Sequence, residues 1–331
     1  MPSALGSVLR LARRVPVATL AAAPCSSRTS SGTSRTHYRR RHQRHQQDQQ
    51  EQRACGCGRG AAALGLTVAT FSQLPQQQDE ADGPAAALVA TAEPDDDVLD
   101  LVDELSAWER VEEARKELCS FGVSRHPEVL WREARLCWLQ AERLKEQQQL
   151  AGDAKTLHAR LVAEGYACVQ LALQLDPACG RAHQWMSALR YARAELRGPL
   201  ARLRCVDQLR LDMERAVQLL PADGAPRTML GMWYYEVSQL NWVERQAVKA
   251  AGQTVPGPAE CLSLALHWMM EADALYASCL NDLMLGKTLL AMGDSERART
   301  YVERAARRAP RDQSDVKAQL EAAELLEPWR D

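Results

Sequence analysis

Phenylalanine occurs only twice in the 331 residues, and threonine, isoleucine and valine are sparse, while Leu, Ala, Glu, Gln and Arg dominate. That balance disfavours strands and favours helix. No stretch alternates apolar and polar residues as a half-buried strand does. Long apolar runs are missing too. "AAALGLTVATF", residues 61 to 71, has eleven apolar or small positions, short of the roughly 18 to 20 that span a bilayer. No transmembrane helix is expected. The shortages extend to chemistry. Gly286-Lys287-Thr288 has the ending of a phosphate-binding loop, but such a loop needs a glycine five residues earlier, between a strand and a helix. Asn281 stands there, so nucleotide binding is not expected.

Cys55-Gly-Cys57 is the only close cysteine couple, with no second couple or histidine at finger-like spacing. Most of the seven cysteines from Cys119 to Cys279 read as small buried hydrophobes in a reducing compartment. His126, His158, His183 and His267 are isolated on separate helical stretches. No serine elbow or glycine-rich cradle follows a strand. The expectation is no enzyme: no catalytic residue, no cofactor and no metal.

What is present is strongly asymmetric in charge. Residues 1–60 carry 11 Arg against Asp48 and Glu51, a balance of +9, and the remainder holds 30 basic and 41 acidic residues, a balance of −11. In "MPSALGSVLRLARRVPVATLAAAP", Leu5, Val8, Leu9 and Ala12 share one helical face, with Arg10 and Arg14 opposite. No acid occurs before Asp48. That fits a mitochondrial transit peptide. A secretory signal and an unaddressed disordered tail are the rivals, and a cytoplasmic, microtubule-associated location is the alternative address. "RRRHQRHQQDQQEQR" is low-complexity and reads as a solvated linker rather than a nucleic-acid site. The chain thus divides into a disordered basic leader and linker (1–60), a short apolar segment with a second linker (61–94), and a helical body (95–331).

From Asp95 onward an apolar period of 3.6 persists almost to the end. Its first stripe reads as Val98, Leu101, Val102, Leu105 and Trp108. The helices repeat in the 34-residue tetratricopeptide pattern. With Leu285-Gly286 as its Leu-Gly pair, Ala298 and Ala305 take the close-packing positions, Val302 the aromatic one, and Pro310 ends the unit. Leu230-Gly231 and Tyr234 match a second time. There the second helix (Ala265, Met269, Ala272) fits only after an insertion of about 22 residues, within which "LNWVERQAVKAAG" forms an extra helix. Earlier second helices end at Pro177 and Pro221, and their partners carry Trp131 and Trp185. The expected fold is all-α: a tetratricopeptide-like right-handed helical solenoid with an inserted helix and a capping helix at Asp315–Leu326.

The stretches "TMLGMWYYEVSQLNWVERQAVKA", "ECLSLALHWMMEAD" and "LMLGKTLLAMGDSERARTYVERAARRAP" resemble the regulator of microtubule dynamics family, as do "PEVLWREARLCW" and "AHQWMSALRYA". The similarity covers roughly residues 96–328. The Leu-Gly-x-Trp segment joined to an Asn-Trp helix is its most specific part. The resemblance implies a non-catalytic scaffold at mitochondria or microtubules. For one branch of the family it implies lipid binding at organelle contacts. An acidic two-phenylalanine docking motif is not found here.

Tetratricopeptide arrays bind along the groove of their first helices. The repeat register sends Arg190 and Arg193, Lys287, and Met232 and Tyr235 toward that groove, with Arg132 pointing the same way. Residues 181–215 hold eight Arg against four acids. Arg132, Arg190, Arg193, Tyr235 and Lys287 are therefore the candidate ligand residues, receiving a lipid phosphate or a peptide carboxylate through paired donors. Two function classes follow. One is a protein-interaction scaffold, with microtubules as one partner reached through the basic Arg39–Arg44 region. The other is a module for anionic phospholipid, which needs an enclosed apolar pocket.

Overall fold

Leucine and alanine at helical spacing, punctuated by side chains that satisfy free helix-end amides, set the local structure. Asp95, Asn241, Ser278, Asp294 and Asp312 each accept a backbone N–H from the first turn of the helix they precede. Gly293, at φ +87°, ends one helix in the left-handed conformation that glycine adopts without strain. The structure, a computed structural model, describes residues 94–121, 125–147 and 152–329. The basic leader with its transit-like helix, the Cys55–Cys57 couple, the apolar 61–71 segment and both linkers lie outside the described residues.

Twelve α-helices are described: α1 (Asp96–Ala107), α2 (Val111–Leu118), α3 (Pro127–Glu146), α4 (Asp153–Leu175), α5 (Gly180–Arg197), α6 (Pro199–Leu219), α7 (Gly224–Ser238), α8 (Trp242–Ala250), α9 (Pro258–Leu275), α10 (Cys279–Met292), α11 (Ser295–Arg307) and α12 (Gln313–Leu325). No strand occurs among the described residues. The dominant packing pairs are α3 with α4, α5 with α6, α7 with α9, and α10 with α11. These are the four helical hairpins of the repeat. The α1–α2 pair precedes them, and α12 packs on α10 and α11 as the cap. Helix α8 occupies the insertion between α7 and α9, closed by a capping box between Asn241 and Glu244.

The small residues sit where helices cross. Ala265, Met269, Ala272, Ala298, Val302 and Ala305 are completely buried. A Cβ at Gly286 would come within 2.5 Å of Val302 Cγ2, and one at Gly231 within 2.7 Å of Met269 Cγ. Gly286 is thus a helix-crossing glycine in the middle of α10, not part of a phosphate loop. Trp131, Trp185 and Trp233 are core residues.

Two features depart from the sequence reading. The first stripe is rotated: α1 buries Leu99, Val102, Leu105 and Ser106, while Leu101 and Trp108 are 42% and 41% exposed. Leu99 and Asp103 share a helical face, and turning that face toward α3 lets Asp103 receive Arg132 and Arg135. The tryptophan position of the repeat also changes character along the chain. In the third hairpin it is Arg227, bonded to the Asp223 carbonyl. In the fourth it is Asp282, fully buried and held by Arg304 of α11 and by Arg308 just past its end.

The described residues belong to one compact unit whose ends meet. Lys317 of α12 reaches back to Glu109, between α1 and α2 (3.1 Å), and to Glu146 at the end of α3 (3.0 Å).

Candidate functional site

Among the described residues, two of the clefts are similar in size. The central one, about 630 Å³, is lined by residues from α3 through α12. Its wall is apolar, made by Leu219, Leu220, Met229, Met232, Leu275 and Leu280, with the half-exposed Tyr276 at the rim. Five charged side chains are set into that wall: Arg135, Arg181, Asp223, Asp312 and Asp315.

Arg135 is the least usual of these groups. It is buried, and Nη1 donates to Asp103 at 3.1 Å while Nε meets no acceptor among the described residues. Burial pulls its pKa down to about 10, opposed by the charge of Asp103. It still carries its proton at neutral pH. Arg181 lies 2.6 Å from Asp223 Oδ2, near enough for an ion pair though not aligned as a hydrogen bond, and donates to Gln184 at 2.9 Å. On the opposite side Asp315 accepts the amides of Leu280 and Arg311. Burial, with the neighbouring charge of Asp312, pushes its carboxyl above the ordinary range. Two guanidinium groups, three carboxyl groups and an apolar wall can together hold a chain carrying both polar and apolar groups.

The second cleft, about 620 Å³, lies where α5 turns into α6. Arg190, Arg193, Arg197 and Arg204 line it, with Tyr166 and Leu200. Arg190 is bound to Asp212 at 2.6 Å. Arg193 stacks over Tyr166, its guanidinium carbon 4.3 Å from the ring centre.

Of the five residues singled out from the sequence, the structure brings only Arg190 and Arg193 into one cleft. Arg132 is 7% exposed, bonded to Asp103 at 2.7 Å and Glu128 at 2.8 Å, with its guanidinium over Trp131. Lys287 pairs with Glu321 of α12. Tyr235 is partly buried against the core of α7, α9 and α10. None of these three lines either cleft. The sequence reading passed over Arg135, Arg181, Arg197 and Arg204. The arginine excess over 181–215 contained three of them, and Arg135, one helical turn after Trp131, had no signal beyond its spacing.

With this geometry in place, similarity to known proteins decides the family. The family model described as regulator of microtubule dynamics protein 1-3 matches residues 98–330. The chain belongs to that family. It is 26% identical over 237 residues to regulator of microtubule dynamics protein 1 of Bos taurus, covering 71% of this chain and 72% of that protein. Identity to the Pongo abelii protein of the same name is 25% over 268 residues, covering 81% and 82%. The Xenopus laevis regulator of microtubule dynamics protein 3 is 29% identical over 171 residues, covering 48% of this chain and 34% of that protein. The matched region coincides with the helical body. Among the described residues no helix is long and apolar enough to cross a membrane, and no group of three His, Cys, Asp or Glu could hold a metal ion. The seven described cysteines are free. Burial holds the Cys168 thiol at about 12 and that of Cys205 at about 11.

Proposed function

We propose that the chain is a non-catalytic scaffold acting in the regulation of microtubule dynamics, whose central cleft receives an extended segment of a protein partner. The observation that carries this reading is the cleft wall, which combines apolar side chains with charged groups of both signs. A peptide has a polar backbone and mixed side chains, so it matches such a wall better than an acyl chain does. The lipid-transfer alternative requires an enclosed apolar pocket. This cleft opens to solvent and carries five charged groups, so it supports the scaffold reading better. The transit-like leader favours a mitochondrial place of work. Attachment to microtubules falls to the Arg39–Arg44 region, because the acidic body is repelled by acidic tubulin.

The test pairs two measurements on the full chain purified from cells. Leu275→Glu and Tyr276→Glu alter half-exposed cleft residues, so they should retain the wild-type Tm yet lose the proteins that cross-link to a photoreactive group placed at residue 280. Native mass spectrometry should give a mass free of lipid. Unchanged cross-linking in both variants, or a stoichiometric phospholipid in the mass spectrum, overturns the scaffold reading.

A further inference from the structure

We propose that the corner between α5 and α6 docks the protein on an anionic lipid surface. This site lies apart from the central cleft and stands whether or not that cleft binds a peptide. Its charge is the first argument. Arg190 is neutralised by Asp212, and Arg193 is oriented by its stack on Tyr166. Arg197 and Arg204 are exposed and pair with no carboxylate among the described residues. Three guanidinium groups are therefore left without a counter-charge around one cleft, on a body that is acidic as a whole. A surface that resists the net charge of its own domain favours an anionic partner.

The second argument is apolar. Leu196 and Leu200 flank the Gly198-Pro199 turn and are 41% and 54% exposed. Helix α5 ends at Arg197 and α6 begins at Pro199, so the leucines stand in the last turn of one and the first turn of the other, on either side of a sharp corner. Gly198 takes φ +99° to make that corner, which a side chain rarely permits. Leucines at such a corner, with arginines just behind, match the depth profile of a bilayer surface. The leucines enter the acyl boundary while arginine stems extend along it and carry their charges to the phosphates. An acidic peptide or a soluble phosphate ester would use the arginines and gain nothing from the two leucines. The lipid surface is the partner that uses both.

Each basic residue beside an anionic surface strengthens partitioning by about five-fold, so removing two should weaken this corner's attachment by about 25-fold. The basic leader also attracts anionic vesicles, so the test must report on the corner itself. Hydrogen exchange of the full chain is followed with vesicles of phosphatidylcholine, with and without phosphatidylserine. Protection of residues 194–205 is expected only with phosphatidylserine. It should be lost in Arg197→Ala/Arg204→Ala and in Leu196→Ser/Leu200→Ser, with circular dichroism confirming retained helix. Vesicle-bound protein with unprotected 194–205 overturns the proposal. So does protection by soluble polyglutamate that equals the vesicle effect and survives the leucine substitutions, which would make the corner an acidic-peptide site.

Discussion

His158 of α4 shows how a single buried side chain can make the fold sensitive to pH. Its residue is 5% exposed, and Nε2 has no hydrogen-bond partner among the described residues. Burial pushes its pKa below the ordinary value, and the charge of Lys145 adds to that while Glu195 opposes it. The folded protein therefore holds His158 neutral, and the unfolded chain takes up its proton first as the pH falls. Stability from this group is complete above the unfolded pKa and is lost as the pH drops through it toward the lower folded value. Glu142 and Asp315 act in the opposite direction, because burial raises their carboxyls and their folded forms bind protons more readily. The histidine's share is isolated by substitution. Between about pH 7.5 and about pH 5.5 the Tm of His158→Phe should fall less than that of the wild type, by the pH dependence His158 contributes. Equal falls in the two proteins would remove His158 as the source.

At the scale of elements, the crossing of α10 and α11 is the most tightly specified contact. Gly286 faces Val302 Cγ2, and a Cβ there would also lie 3.2 Å from the Ala298 carbonyl oxygen. Gly286→Ala should destabilise by about 1–3 kcal/mol through overpacking, more than the helix propensity gained by alanine offsets. Because the closest atom belongs to a side chain, Val302→Ala removes it. The double variant should then be more stable than the sum of the single changes, a coupling that denaturant unfolding of all four proteins measures. Strict additivity would mean that the glycine is set by something other than this crossing. The same two helices are tied by buried Asp282, which pairs with Arg304 of α11 and with Arg308 just past its end and occupies the place that Trp131 and Trp185 fill in earlier hairpins. Helix α8 is an opposite case. It buries only Val248 and is secured at its end, where Arg245 donates to the carbonyls of Val237 and Pro256. Trp242 remains 74% exposed on it.

Across the whole molecule, the bonds from Lys317 to Glu109 and Glu146 join positions 208 and 171 residues apart. Glu109 adopts φ +56°, the left-handed region that is costly for a side chain other than glycine. The carboxylate presented by that strained turn is one of the two that receive Lys317. These groups are partly exposed to solvent, so the pair adds little stability, within about 1 kcal/mol after screening. Its effect should be on shape. Lys317→Glu should leave the Tm nearly unchanged and increase the radius of gyration in small-angle scattering, as would high salt acting on the wild type. An unchanged radius would show that the ends are held by packing alone.

The sequence by itself determined the helices, their grouping into hairpins, the inserted α8 and the capping α12. Each of these depends on local or repeating signals: the 3.6-residue period, end-capping side chains, and small residues spaced to let helices cross. The family was legible from the same segments, since the Asn-Trp helix after a Leu-Gly-x-Trp segment is a contiguous pattern. Only the tertiary structure decided the rotation of α1, because an amphipathic helix with leucines on two flanks can turn either to the core until Asp103 finds Arg132 and Arg135. It also decided which arginines stay available. The repeat register pointed to Arg190 and not to Arg197, yet Asp212 on the following helix neutralises Arg190. The central cleft was out of reach for the same reason. Its lining gathers residues from α3 to α12, and their meeting depends on superhelical curvature accumulated over every hairpin, which no local spacing encodes.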